Sequence, residues 1–132
     1  MSRSLSVLLP VKNAQATLSG AVHEILDVMT DSGDRFEVLI IDDGSTDATS
    51  EVAHDLPRHY PQIRLVRHGI SRGRDAAIRT GMERSQGEVI MLRDDQSGFS
   101  ILERPSPAAG RVSSRPARPN YFSRVKAFAL GE

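Results

Sequence analysis

The chain has no cysteine among its 132 residues. That removes disulfide frameworks and thiolate metal sites, and it fits a reducing compartment. It also lacks any apolar run of membrane-spanning length, and the apolar part of MSRSLSVLLPVKN is too short for the core of a signal peptide. A soluble cytoplasmic chain with no membrane span is expected. Net charge is missing as well, with 17 Lys and Arg against 17 Asp and Glu, but the balance is uneven. Residues 1–96 carry 11 basic and 15 acidic side chains, a net of −4; residues 97–132 carry 6 and 2, a net of +4. The main body therefore offers no bulk basic face to nucleic acid. The four histidines, at 23, 54, 59 and 68, have no metal-ligand spacing. There are no internal repeats. At this length the chain makes one domain around a single core.

What is present is an alternation. Residues 5–11, LSVLLPV, read as a buried strand closed by Pro10. From Ala14 to Met29 the apolar residues Leu18, Val22, Ile25 and Met29 recur at spacings of four, three and four, the stripe of a helix. The turn residues DSGD at 31–34 end it. FEVLII (36–41) is a second strand. STDATSEVAHDL starts a second helix with Ser45 or Thr46 as its N-cap, and the prolines of LPRHYP break it. IRLVRH (63–68) is a third strand, GRDAAIRTGMERS (73–85) a third helix with small residues on one side, and EVIML (88–92) a fourth strand.

Such an order predicts an α/β fold whose parallel strands are joined by right-handed helical crossovers. Ligands of these sheets bind beyond the carboxyl ends of the strands. Polar groups stand at three of those ends: Lys12 and Asn13, then Asp42 and Asp43, then Asp94 and Asp95. Adjacent carboxylates at the end of a buried strand repel and lose solvation, so a site explains them better than decoration does. From Ser97 the pattern stops. Residues 97–132 hold four prolines, five arginines and six serines without a period. A flexible tail is expected there, following a domain of residues 1–96. YFSRVKAFAL (121–130) could form one short helix.

The blocks VLLPVKNAQATL, EVLIIDDGSTDAT and RGRDAAIRTGMERSQGEVIMLRDD resemble, in order and spacing, the successive motifs of family-2 glycosyltransferases of the GT-A fold, including the dolichyl-phosphate mannosyltransferase-like branch. The similarity covers residues 5–96. It implies a Rossmann-like nucleotide-binding half with a mostly parallel sheet. It also implies transfer of a sugar from a UDP- or GDP-linked donor with inversion, assisted by Mg²⁺ or Mn²⁺. Carried over residue by residue, it puts Pro10, Val11 and Asn13 in the loop that edges the base and ribose. Asp43 takes the position whose carboxylate accepts a charge-assisted hydrogen bond from a uracil-type N–H. Asp42 stands beside it in the site and turns back to the loop, and Gly44 gives the tight turn. Gly73 makes a tight connection, and Arg74 lies near the diphosphate or base. Taken alone, DDGSTD reads better as a capped turn, and RGRD equally as a solvated basic loop.

The family closes its fourth strand with a D-x-D motif whose second acid holds the metal. In RDDQ, laid without a gap, Asp94 takes the first acidic position and Gln96 the second; a one-residue slip would return Asp95 as the ligand. Asp94 and Asp95 are therefore the metal candidates, Asp94 also on the nucleotide side, and weak metal dependence is expected. Arg93 departs from the apolar residue common before the motif. Nothing after residue 96 resembles the family's acceptor half or its general base. The resemblance thus implies a truncated donor-binding half, either active in sugar transfer or an inactive remnant that binds nucleotide or a partner chain. A receiver-like signalling domain fits less well, because Asn13 stands where its acid pair would be. An uncovered sheet edge would invite self-association.

Overall fold

A computed structural model describes residues 3–93 and 98–102. In chain order the elements are β1 (Ser4–Val11), α1 (Leu18–Ser32), β2 (Arg35–Asp43), α2 (Thr49–His59), β3 (Ile63–His68), α3 (Arg74–Arg84), β4 (Val89–Arg93) and β5 (Phe99–Leu102). They build one five-stranded sheet in the order β3-β2-β1-β4-β5, with β1 to β4 parallel and β5 antiparallel to β4. The expected α/β architecture with a mostly parallel sheet is the one observed.

Two apolar layers explain why the central strands are continuously hydrophobic. On one face Leu5, Val7, Leu9, Val38 and Ile40 pack with the buried stripe of α1 (Leu18, Val22, Ile25, Met29) and with Ala53 and Leu56 of α2. On the other, Leu8, Leu39, Ile41 and Ile90 pack with Ala77 of α3. The small side of α3 sets its closeness to the sheet: a Cβ on Gly81 would lie 2.9 Å from Ile41 Cδ1 and 3.0 Å from Leu8 Cδ1. α1 ends at Gly33, whose φ of 76° is the left-handed geometry that glycine adopts without strain.

At the amino-terminal edge a half-buried polar lock fixes the start of β4. Glu37 accepts hydrogen bonds from Ser6 Oγ (2.6 Å), the Gln86 N–H (2.7 Å) and Arg64 Nη1 (2.6 Å), while the Gly87 N–H donates to Ser6 Oγ (2.8 Å). Burial opposes the charge of Glu37, but these donors and the Arg64 cation outweigh it and hold its carboxyl below the ordinary value.

Several boundaries differ from the sequence expectations. Residues 14–17 form turns, with the Thr17 and Leu18 N–H groups both donating to the Ala14 carbonyl, so α1 starts at Leu18. α2 starts at Thr49 with Ala48 at its N-cap, and neither Ser45 nor Thr46 caps it. It also continues through Pro57, because that proline sits in the last turn and forgoes a single helical bond. The boundary expected at residue 96 falls before β5, whose Phe99 joins the α1-side core. Residues 94–97, and with them Asp94, Asp95 and Gln96, lie outside the described residues, as does the expected tail from residue 103 onward. Among the described residues no helix is long and apolar enough to cross a membrane.

Candidate nucleotide-sugar site

β1, β2 and β4 run parallel, so their carboxyl ends share one edge of the sheet. A cleft of about 620 Å³ opens there. Pro10, Val11, Asn13, Asp43, Gly73 and Arg74 all line it, together with Lys12, Ser71, Ala77 and Arg93, and α1 residues form the opposite wall. Six of the residues singled out from sequence are therefore brought together. Asp42 is not among the lining residues.

The first wall is the loop after β1, which is laced to the loop after β2. Asn13 adopts φ 52°, a region in which Asn is the commonest residue after glycine. Its N–H donates to Ser45 Oγ (2.9 Å) and its Oδ1 accepts from the Thr46 N–H (2.9 Å). Ala14 N–H donates to Thr49 Oγ1 (2.6 Å), and the Ala48 N–H to Gln15 Oε1 (2.9 Å). The side chains expected to cap α2 thus serve to fix this loop instead.

The two adjacent acids divide the work. Asp42 is fully buried and turns back: its Oδ1 accepts from the Ser45 N–H (3.1 Å), its Oδ2 from Ser50 Oγ, and Arg67 Nε lies 3.6 Å away. It shapes the loop from behind and does not face the cleft. Asp43, 4% exposed, reaches in the opposite direction. Its Oδ1 accepts from His68 Nδ1 (2.8 Å) and the Arg72 N–H (2.8 Å), and its Oδ2 from Ser71 Oγ (2.9 Å) and the Gly73 N–H (2.9 Å). A carboxylate has about four acceptor sites, and all are engaged. Burial works against its charge, but the Arg72 N–H, His68, Ser71 and the Gly73 N–H together hold the carboxyl far below the ordinary carboxylate range. Asp43 therefore pins the segment from Ser71 to Gly73 against the end of β2. Gly44 permits this approach, since its φ is 70° and a Cβ there would lie 2.5 Å from the Ser71 nitrogen.

Sequence reasoning missed His68 and Ser71. His68 pairs in register with Asp43 across β2 and β3, a relation that no sequence spacing encodes. The signal available was only that a histidine ended a strand beside one ending in acids. Arg93, at the end of β4, is buried, ion-paired to Glu24 of α1 and set over the Phe99 ring at 5.7 Å. These contacts account for a cation at a position where an apolar residue was expected.

The cleft lining described carries the cations Lys12 and Arg74 and an Arg93 ion-paired to Glu24, and its one carboxylate, Asp43, has its acceptor sites filled. Among the described residues no group of three or more His, Cys, Asp or Glu could hold a metal ion. These residues do not by themselves make a site for a divalent cation; Asp94 and Asp95 lie outside them.

Known proteins bear on this arrangement. A mannosyltransferase from Pyrobaculum calidifontis, solved in complex with GDP-Man and Mn²⁺, superposes with a TM-score of 0.62 at 22% identity over 71% of this chain and 28% of its own. S. aureus TarS 1-349 in complex with UDP-GlcNAc gives 0.58 at 19% identity over 71% and 26%. These likenesses establish the GT-A fold. In sequence, the Synechocystis beta-monoglucosyldiacylglycerol synthase is 30% identical over 86% of this chain and 26% of its own length. Human dolichyl-phosphate beta-glucosyltransferase is 33% identical over 70% and 31%. The chain thus spans about a quarter to a third of the length of these relatives. Residues 6–96 match the sequence model of Glycosyl transferase family 2, and the chain belongs to that family.

Proposed function

We propose that this chain forms the donor-binding part of a nucleotide-sugar-dependent glycosyltransferase, taking a UDP- or GDP-linked sugar in the cleft at the carboxyl edge of the sheet. The observation that carries this reading is the convergence of Pro10, Val11, Asn13, Asp43, Gly73 and Arg74 on one cleft. The relatives solved with GDP-Man and with UDP-GlcNAc support it. In this reading the loop from Pro10 to Asn13 edges the base and ribose, and Asp43 orders the Ser71–Gly73 segment and accepts a hydrogen bond from a base N–H at Oδ2 in place of the Ser71 hydroxyl. Lys12 and Arg74 face the diphosphate, where cations offset the charge that builds on the leaving group. If the chain is active, an acceptor hydroxyl attacks the anomeric carbon with inversion and displaces the nucleoside diphosphate; no described residue is assigned as the base that deprotonates it. A divalent cation, when bound, would share the charge of the diphosphate; Asp94 and Asp95 are the residues to hold it. The lack of cysteine accords with a cytoplasmic setting.

Calorimetry with UDP, GDP and ADP, with and without Mn²⁺, tests the binding step, and a panel of UDP- and GDP-sugars tests transfer. Saturable binding of UDP or GDP is expected. Binding without transfer would favour the inactive remnant, and no binding of any nucleotide would remove the reading.

A further inference from the structure

The two oxygens of Asp43 take their hydrogen bonds from residues that line two different hollows. Oδ2 takes its hydrogen bonds from Ser71 and Gly73, which line the cleft. Oδ1 takes its own from His68 and Arg72, which line a second hollow of about 760 Å³ that Asp43 itself does not line. Rotation of the carboxylate decides which of these donors each oxygen meets. Three of the four donors belong to the very loop that Asp43 pins. Only His68 comes from a strand, and it is 7% exposed, in register with Asp43 and anchored in turn by Thr80 of α3, with Nε2 at 2.9 Å from Thr80 Oγ1. An ionised carboxylate only accepts, so the proton between the two lies on Nδ1; in the neutral ring the Thr80 hydroxyl then donates to Nε2.

We propose that His68 is a positioning residue of the donor site, fixing the plane of the Asp43 carboxylate so that Oδ2 and the Ser71–Gly73 segment are presented to the cleft. This rests on the donor-site reading above and deepens it. The ligand group served is a base N–H. Of the two donors on Oδ2 the Gly73 N–H is fixed by the backbone, whereas the Ser71 hydroxyl can rotate away. A base N–H can take the place of that hydroxyl while His68 and Arg72 keep Oδ1 engaged. Without His68 the carboxylate loses the one donor that does not move with the loop.

The test compares the full chain with His68→Leu and with His68→Asn, whose side-chain N–H can stand in for Nδ1–H. In the ligand-free protein, amide hydrogen exchange at Arg72 and Gly73 should speed up about tenfold in His68→Leu, the effect of losing a hydrogen bond to a charged group. Exchange at core amides of β1 should hold, and His68→Asn should restore most of the protection. UDP or GDP affinity should fall about tenfold in His68→Leu and recover in His68→Asn. Unchanged exchange at Arg72 and Gly73 in His68→Leu overturns the proposal. So does an affinity loss that His68→Asn fails to recover. Should the wild-type protein bind no nucleoside diphosphate, the donor-site reading fails, and the ligand-free exchange alone decides whether His68 holds Asp43 in place.

Discussion

A carboxylate that accepts four hydrogen bonds from its own protein is a structural anchor before it is a ligand contact, and Asp43 has to be both. Replacing it by Asn puts an amide N–H against donors and removes the charge they solvate. Asp43→Asn should therefore lose about 3 kcal/mol of stability, measured by urea unfolding, the scale of breaking a buried paired charge. The pH dependence has a fixed sign. The folded carboxyl lies below its ordinary 3.8, so its contribution is complete above that value and is lost as pH falls through the folded one. Glu37, depressed from 4.5 at the opposite edge, acts in the same direction. Acid unfolding of Asp43→Asn should accordingly show a shallower slope than wild type below about pH 4. The metal expectation belongs at this scale too. Gln96 supplies at best a neutral carbonyl oxygen, so Mn²⁺ should strengthen UDP or GDP binding only weakly. Gln96→Asp should increase the effect; a strong wild-type dependence abolished by Asp95→Ala would instead make Asp95 the ligand. Of these residues, the chemistry of Asp43 was legible in sequence because an acid at a buried strand end demands an explanation. Its saturation was not, because His68 and Ser71 reach it only through strand register and loop closure.

At the scale of elements, two loops are pressed together. The β2–α2 loop meets the β3–α3 loop at Gly44, where φ is positive and an added Cβ would lie 2.5 Å from the Ser71 nitrogen, which leaves no room for a side chain. Gly44→Ala must either strain the turn or lift Ser71–Gly73 off Asp43. A loss of at least about 2 kcal/mol is expected, with weakened nucleotide binding, measured by thermal unfolding and calorimetry. Gly33→Ala is the control: it shares the positive φ but meets nothing within 4 Å, so it should cost only about 1 kcal/mol and leave binding intact. The elements themselves were largely readable. The α1 stripe and the continuous runs of β1 and β2 follow from burial on one or both faces, and the parallel order follows from their alternation. β5 was not readable, since four residues carry too little pattern and an antiparallel return has no helix to announce it. The start of α2 was misplaced for a related reason: Ser45 and Thr46 are good caps in isolation, but Asn13 engages both.

The molecule as a whole leaves a sheet edge to account for. Among the described residues the sheet ends at β3 on one side and at β5 on the other. The Val38 N–H donates to the Gln62 carbonyl, and in a parallel pair such bonds come from alternate residues. The backbone groups of Leu65 and Arg67 therefore point away from β2, toward whatever lies outside, whereas the Ile63 N–H donates to the Tyr60 carbonyl. Ile70, 82% exposed, extends this edge with an apolar side chain. Against association stand the shortness of β3 and its arginines, devices that protect edges. Weak, concentration-dependent self-association is the expected balance, seen as a rising sedimentation coefficient on concentration. Arg67→Pro removes one outward N–H without touching the β2 ladder; it also withdraws the half-exposed guanidinium 3.6 Å from the fully buried Asp42, a loss that Arg67→Ala, which keeps the N–H, measures by itself. The proline variant should sediment as a monomer while keeping its affinity for UDP or GDP. Equal association of wild type and Arg67→Pro would move the contact away from β3, and a wild type that stays monomeric throughout would mean that the arginines suffice to guard the edge.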